Sequence, residues 1–110
     1  MTTVKYLPAE VDIEYYQGDT VSLQFVIKNK NLEGGTGTAQ VRRGKESTAA
    51  LMAEFTVTLD DDGDDTNVTL ALASGNNTTT GKGWWDLEIV KDAATRTYMA
   101  GRATVHPEIT

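Results

Sequence analysis

The chain predicts an all-β fold of about seven strands in an antiparallel sandwich, and three observations carry that reading. Apolar residues recur every second position in several stretches, turn signals punctuate the chain at intervals of roughly ten residues, and no ten-residue stretch carries a helical stripe. The clearest stretch is Tyr15–Lys28, YYQGDTVSLQFVIK, where Val21, Leu23, Phe25 and Ile27 alternate with Ser22, Gln24 and Lys28. Val26 is the apolar exception on the outer side. A helix would need apolar spacings of three and four, so this run predicts a half-buried strand, placed here at the centre of a sheet.

Taken in order, residues 2–9 hold Val4, Tyr6 and Pro8, and proline withholds a ladder donor, so residues 1–10 read as an arm or edge strand. Val11, Ile13 and Tyr15 alternate with Asp12, Glu14 and Tyr16, a short strand leading into the Gln17-Gly18-Asp19 turn. After Thr20–Lys28, the glycine-rich Asn29–Gly37 reads as a loop with Leu32 tucked beneath it. Thr38–Arg43 is a strand with Ala39 and Val41 inward, and Gly44–Ala50 a loop or helical turn. Phe55, Val57 and Leu59 share one face of Leu51–Leu59, and Val68, Leu70 and Leu72 one face of the next strand. The acidic segment 60–66 between them reads as a hairpin loop. Ala73–Lys82 is a small, polar connection. Gly83–Val90 puts Trp85, Leu87 and Ile89 inward and Trp84, Asp86 and Glu88 outward. Arg96–Val105 closes the set with Met99, Ala103 and Val105 inward and a bulge expected at Gly101. Pro107 ends it, leaving 106–110 as a tail.

With 110 residues the chain makes one domain. It has no cysteine, so it forms neither a disulfide nor a thiolate metal site. Its start lacks the basic-then-apolar pattern of a signal peptide, and no apolar window is long enough to span a membrane. The formal charge of −6 sets the protein against phosphate backbones, so neither nucleic acid nor membrane is an expected partner.

Catalytic machinery is hard to assemble from these residues. The single histidine, His106, sits beside a proline near the end of the sequence and reads as an exposed tail residue. Asp86 and Glu88 stand two apart on one strand face, whereas a glycosidase pair must flank a bond from two sides. No cofactor is expected. For a metal, the acidic run offers Asp60, Asp62 and Asp64 as calcium candidates. The EF-hand spacing fails: with Gly63 sixth, Thr58 would stand first and Thr69 twelfth. Read structurally, the same acids form a solvated loop that discourages edge pairing.

Trp84 is the more informative residue. With Trp85 in the core, a period of two places Trp84 outside, as an interface anchor, a stacking platform for a sugar, or an indole covered by the arm or a loop. Tyr16 and Val90 point to the outer side in the same register, and Tyr6 and Ile109 add apolar area on the arm and the tail.

Several motifs follow one another in an order that resembles a known family. The run Tyr16–Phe25, Thr38-Ala39-Gln40-Val41-Arg42-Arg43, Ala53–Val57, Gly83–Ile89 and the closing Gly101–Thr110 together resemble an immunoglobulin-like β-sandwich of tailed-bacteriophage structural proteins. Ala73–Thr80, ASGNNTTT, departs from the helical turn that such proteins often carry before the tryptophan strand. The resemblance implies a non-enzymatic virion protein of the tail tip, baseplate or fibre, or a capsid decoration protein. It would work by docking onto other virion proteins, as a homo-oligomer or in a symmetric multi-copy array. Trp84, Tyr16, the arm and the tail are then the expected contact regions. The alternative is a carbohydrate- or host-surface-binding module, with Trp84 stacking on a sugar and Asp86 and Glu88 accepting from its hydroxyls.

Overall fold

A computed structural model describes residues 7–109. It is all-β, as the alternation predicts: eight strands form one curled, mixed sheet. They are β1 (Ala9–Glu10), β2 (Ile13–Tyr16), β3 (Val21–Ile27), β4 (Thr36–Arg42), β5 (Leu51–Asp62), β6 (Asp65–Leu72), β7 (Gly81–Lys91) and β8 (Ala94–His106). A single 3-10 turn, Ser74–Asn76, lies in the connection after β6.

The curl comes from β5. Its first half pairs with β4, Phe55 opposite Ala39, and its second half pairs with β6, Val57 opposite Leu70. One leaf therefore runs β8-β7-β4 to the start of β5, and the other runs from the end of β5 through β6 to β3. Apolar residues of both leaves meet in one core, including Val41, Val68, Leu70 and Leu87, each fully buried. Phe25 of one leaf stacks on Trp85 of the other at 6.0 Å between ring centroids. The edge of Gly37 facing β5 must stay bare, because a Cβ there would meet Val57 Cγ1 at 2.4 Å.

Several expectations are corrected. The sheet is not purely antiparallel: β1 and β2 both run parallel to β8, Ala9 opposite Met99 and Ile13 opposite Ala103. The turn after β2 passes the chain to the other leaf instead of folding it back beside β2. It is held there by Gln17 N–H donating to His106 O and Gly18 N–H to Asn77 O. As a result β3 is an edge strand, paired among the described residues only with β6, and not the centre of the sheet. Residues 60–66 are not a loop. The strands continue to Asp62 and resume at Asp65, leaving Gly63 and Asp64 as a two-residue turn with Gly63 at φ 69°. The bulge sits at Tyr98 and not at Gly101, since Leu87 faces Met99 while Glu88 faces Thr97. His106 ends β8, paired with Tyr16, and is not a tail residue. The inward assignments of Ala39, Val41, Phe55, Met99, Ala103 and Val105 hold, and Leu32 is buried beneath its loop.

Candidate docking face

The outer face of the larger leaf collects most of the residues singled out from the sequence. On β7 the alternation that buries Trp85, Leu87 and Ile89 turns Trp84, Asp86, Glu88 and Val90 outward. Register places Arg42 of β4 on one side of Trp84 and Arg102 of β8 on the other. The arm at residues 7–10 and the loop at 44–47 rise beside this patch, and together they bound an open groove of about 640 Å³.

Trp84 is half-buried, less bare than alternation alone predicts. Lys45 Nζ lies 4.3 Å from its ring centroid and Arg102 Cζ 5.2 Å, both within cation–π range. Neither cation is visible as a partner from sequence spacing; Arg102 follows only from the β7–β8 register. Arg42 is fixed at both ends of its guanidinium, donating to Ala49 O at 2.7 Å and to Gln40 Oε1 at 2.8 Å. Gln40 in turn donates to Glu54 Oε2 at 2.6 Å, so a polar row crosses β4 into β5. Partial loss of water raises the Asp86 carboxyl above its ordinary value; Glu88 adds to this and Arg42 opposes it. The groove thus presents the Trp84 ring, the cations Arg42 and Lys45, and the Asp86 and Glu88 carboxylates. Asp86 and Glu88 sit on one strand, and Glu10 of the arm and Glu46 of the loop line the same groove.

The other singled-out residues distribute as follows. Tyr16, 46% exposed, lies on the same leaf but against His106, at 5.2 Å between rings, and His106 Nε2 pairs with Glu14. Val90 is exposed at the far end of β7, six residues from Trp84. Ile109, 89% exposed, follows the end of β8. Tyr6 lies outside the described residues. Among the calcium candidates, Asp60 and Asp62 lie on β5 and Asp64 in the turn. Among the described residues no group of three or more acidic or histidine side chains converges. Asp65 is committed elsewhere: Asn29 N–H donates to it at 2.9 Å and Lys28 Nζ lies 3.3 Å away, and these bonds hold its carboxyl below the usual aspartate value.

Asn77 is functionally silent in the sequence yet central to the geometry. It is buried, and its side-chain amide donates to Tyr16 O at 2.8 Å and Asp19 O at 3.0 Å, fastening the crossover turn. The polar run ASGNNTTT gives no sign of which asparagine does this.

No protein-family model matches the chain, and no curated protein matches it. Among solved structures, it is similar to part of a family 123 glycoside hydrolase from Clostridium perfringens, described for glycolipid glycan hydrolysis. The TM-score is 0.52 at 10% identity, over 91% of this chain and 23% of that chain. This chain therefore spans less than a quarter of that enzyme, and the likeness is one of fold.

Proposed function

We propose that this chain is a non-enzymatic docking module of a tailed-bacteriophage virion, built as an immunoglobulin-like sandwich. The sandwich reading rests on strand order. A first strand parallel to the last, followed by a crossover to the opposite leaf, suits a Greek-key arrangement of two leaves over one core. The docking reading rests above all on Trp84. A half-buried indole flanked by Lys45 and Arg102 in an open groove is the kind of aromatic and arginine anchor that carries interface energy. The partners are other virion proteins, and the virion is where the chain resides.

The test is incorporation. Trp84→Ala removes an outward side chain and leaves the Trp85-centred core intact, so circular dichroism and the unfolding midpoint should stay close to wild type. Particles assembled with the variant should carry markedly less of the protein by mass spectrometry, and equal incorporation would reject Trp84 as an anchor. Absence of the wild-type chain from purified particles would reject the virion assignment itself.

A second reading, glycan binding, is favoured by one observation: Trp84, Asp86 and Glu88 line the same groove. Against it, Lys45 and Arg102 already lie over the indole, and a sugar ring stacking there must displace a cation. Saturable quenching of tryptophan fluorescence by host-surface glycans would select this reading over protein docking.

A further inference from the structure

The edges of the sheet are not treated alike. Along β1, β2 and the residues joining them stand Glu10, Asp12 and Glu14, and along β5 stand Glu54, Asp60, Asp61 and Asp62. The β5 edge is further covered where Asn31 donates to Asp61 Oδ1 and Glu33 accepts from Asp61 N–H. These are the devices by which proteins keep edges from pairing. The remaining edge, β3, has none. From Val21 to Ile27 it carries no charge, no proline, no glycine and no bulge, pairing with β6 in unbroken register. Among the described residues nothing bonds to its outer side. Its inner-face Leu23 and Phe25 are only half-buried, and Val26 is 46% exposed.

We infer that β3 pairs antiparallel with β3 of a second copy of this chain, about a two-fold axis through Gln24. A second copy fits because the strand is complementary to itself in that register. Val21 meets Ile27 and Leu23 meets Phe25 on the inner face, while Ser22 meets Val26 and Gln24 meets Gln24 on the outer face. Inner residues meet only inner residues, so the smaller leaf continues across the axis with Leu23 and Phe25 covered by each other. At the ends, exposed Lys28, whose ammonium also bonds Asp65 of its own chain, comes opposite Thr20 of the second copy, next to its Asp19. The interface is isologous and closes on itself. It uses a different surface from the Trp84 groove, so it stands or falls independently of the docking reading.

The absence of cysteine makes the register directly testable. Wild-type protein should sediment as a concentration-dependent dimer. Under mild oxidation the Gln24→Cys variant should form a disulfide-linked dimer, because directly opposed strand residues lie within bridging distance. Ser22→Cys alone should not, since its counterpart is displaced by four residues along the strand, roughly 13 Å. Mixing Ser22→Cys with Val26→Cys should give the cross-linked heterodimer. Gln24→Glu, an exposed change with like charges directly opposed, should weaken the dimer about fivefold, and mixing it with Gln24→Lys should restore it. A wild-type chain that stays monomeric at all concentrations overturns the inference. So does a dimer that Gln24→Cys fails to link, or equal cross-linking at positions 22 and 24.

Discussion

Ala93 occupies the left-handed region at φ 64°, directly after Asp92 at φ 52°, in the two-residue turn between β7 and β8. Two positive φ values in succession define a type I′ turn, whose second position favours glycine because a Cβ is strained there. Aspartate tolerates this conformation through local hydrogen bonding, and alanine has no such help. Ala93→Gly relieves roughly 1–2 kcal/mol of left-handed strain. It returns roughly 0.5–1 kcal/mol as extra freedom of the unfolded chain. The variant should therefore be more stable by about 0.5–1 kcal/mol in denaturant titration, and an unchanged or lower midpoint would refute the turn assignment. Single residues of this kind are the least legible in a sequence. DAAT announces a turn but not which alanine bears the strain. Asn77 and Thr66 are likewise polar letters in polar runs. Thr66 is nonetheless fully buried, donating to Lys30 O and accepting from Leu32 N–H, because the loop above it leaves two backbone groups to satisfy.

Elements were legible where one face is buried, because a period of two is then written in the side chains. β4 and β7 follow it, and so does β3, whose identity was clear although its place was not. Alternation reports that one face is covered; it says nothing about how many hydrogen-bonded neighbours a strand has. The run 60–66 misled for the opposite reason. At the far end of β5 and β6 both faces of the hairpin are exposed except at half-buried Asp65 and buried Thr66, so charge there masks continued pairing. β7 also carries a prediction at this scale. The Asp86 carboxyl is raised by partial desolvation and by Glu88, so the folded state holds its proton more tightly than the unfolded chain does. Stability is then lost as pH rises from the ordinary aspartate value through the folded one, and the penalty is complete above it. Asp86→Asn removes the penalty. The variant should exceed wild type in stability at neutral pH, and the difference should vanish below the ordinary aspartate range. A variant less stable at neutral pH would mean that the Arg42 attraction outweighs desolvation.

For the whole molecule, the all-β class followed from the sequence but the parallel pairing did not, because it depends on a contact between residues 90 positions apart. Val11 brings its carbonyl to the Trp85 indole, which donates to it at 2.7 Å, and Val11 N–H donates to Ala100 O at 3.0 Å. Asp12 Oδ1 accepts from Arg102 N–H at 3.0 Å. These bonds seat β1 and β2 along β8, and they require close passage over Gly101, where a Cβ would lie 2.0 Å from Val11 O. Glycine there is a clearance and not a bulge. Gly101→Ala must push the Val11 carbonyl outward, which leaves the buried Trp85 N–H without its acceptor and frees the parallel strands from β8. The cost combines a lost buried hydrogen bond, about 1–3 kcal/mol, with loss of the pairing that follows. Denaturant unfolding should shift accordingly, and tryptophan emission should move to the red as water reaches Trp85. Amide exchange separates local from global effects: protection should fall at Val11 and Ile13–Tyr16 while β4 and β6 keep theirs. Wild-type stability in Gly101→Ala, with protection retained across β2, would show that this passage does not hold the parallel strands in place.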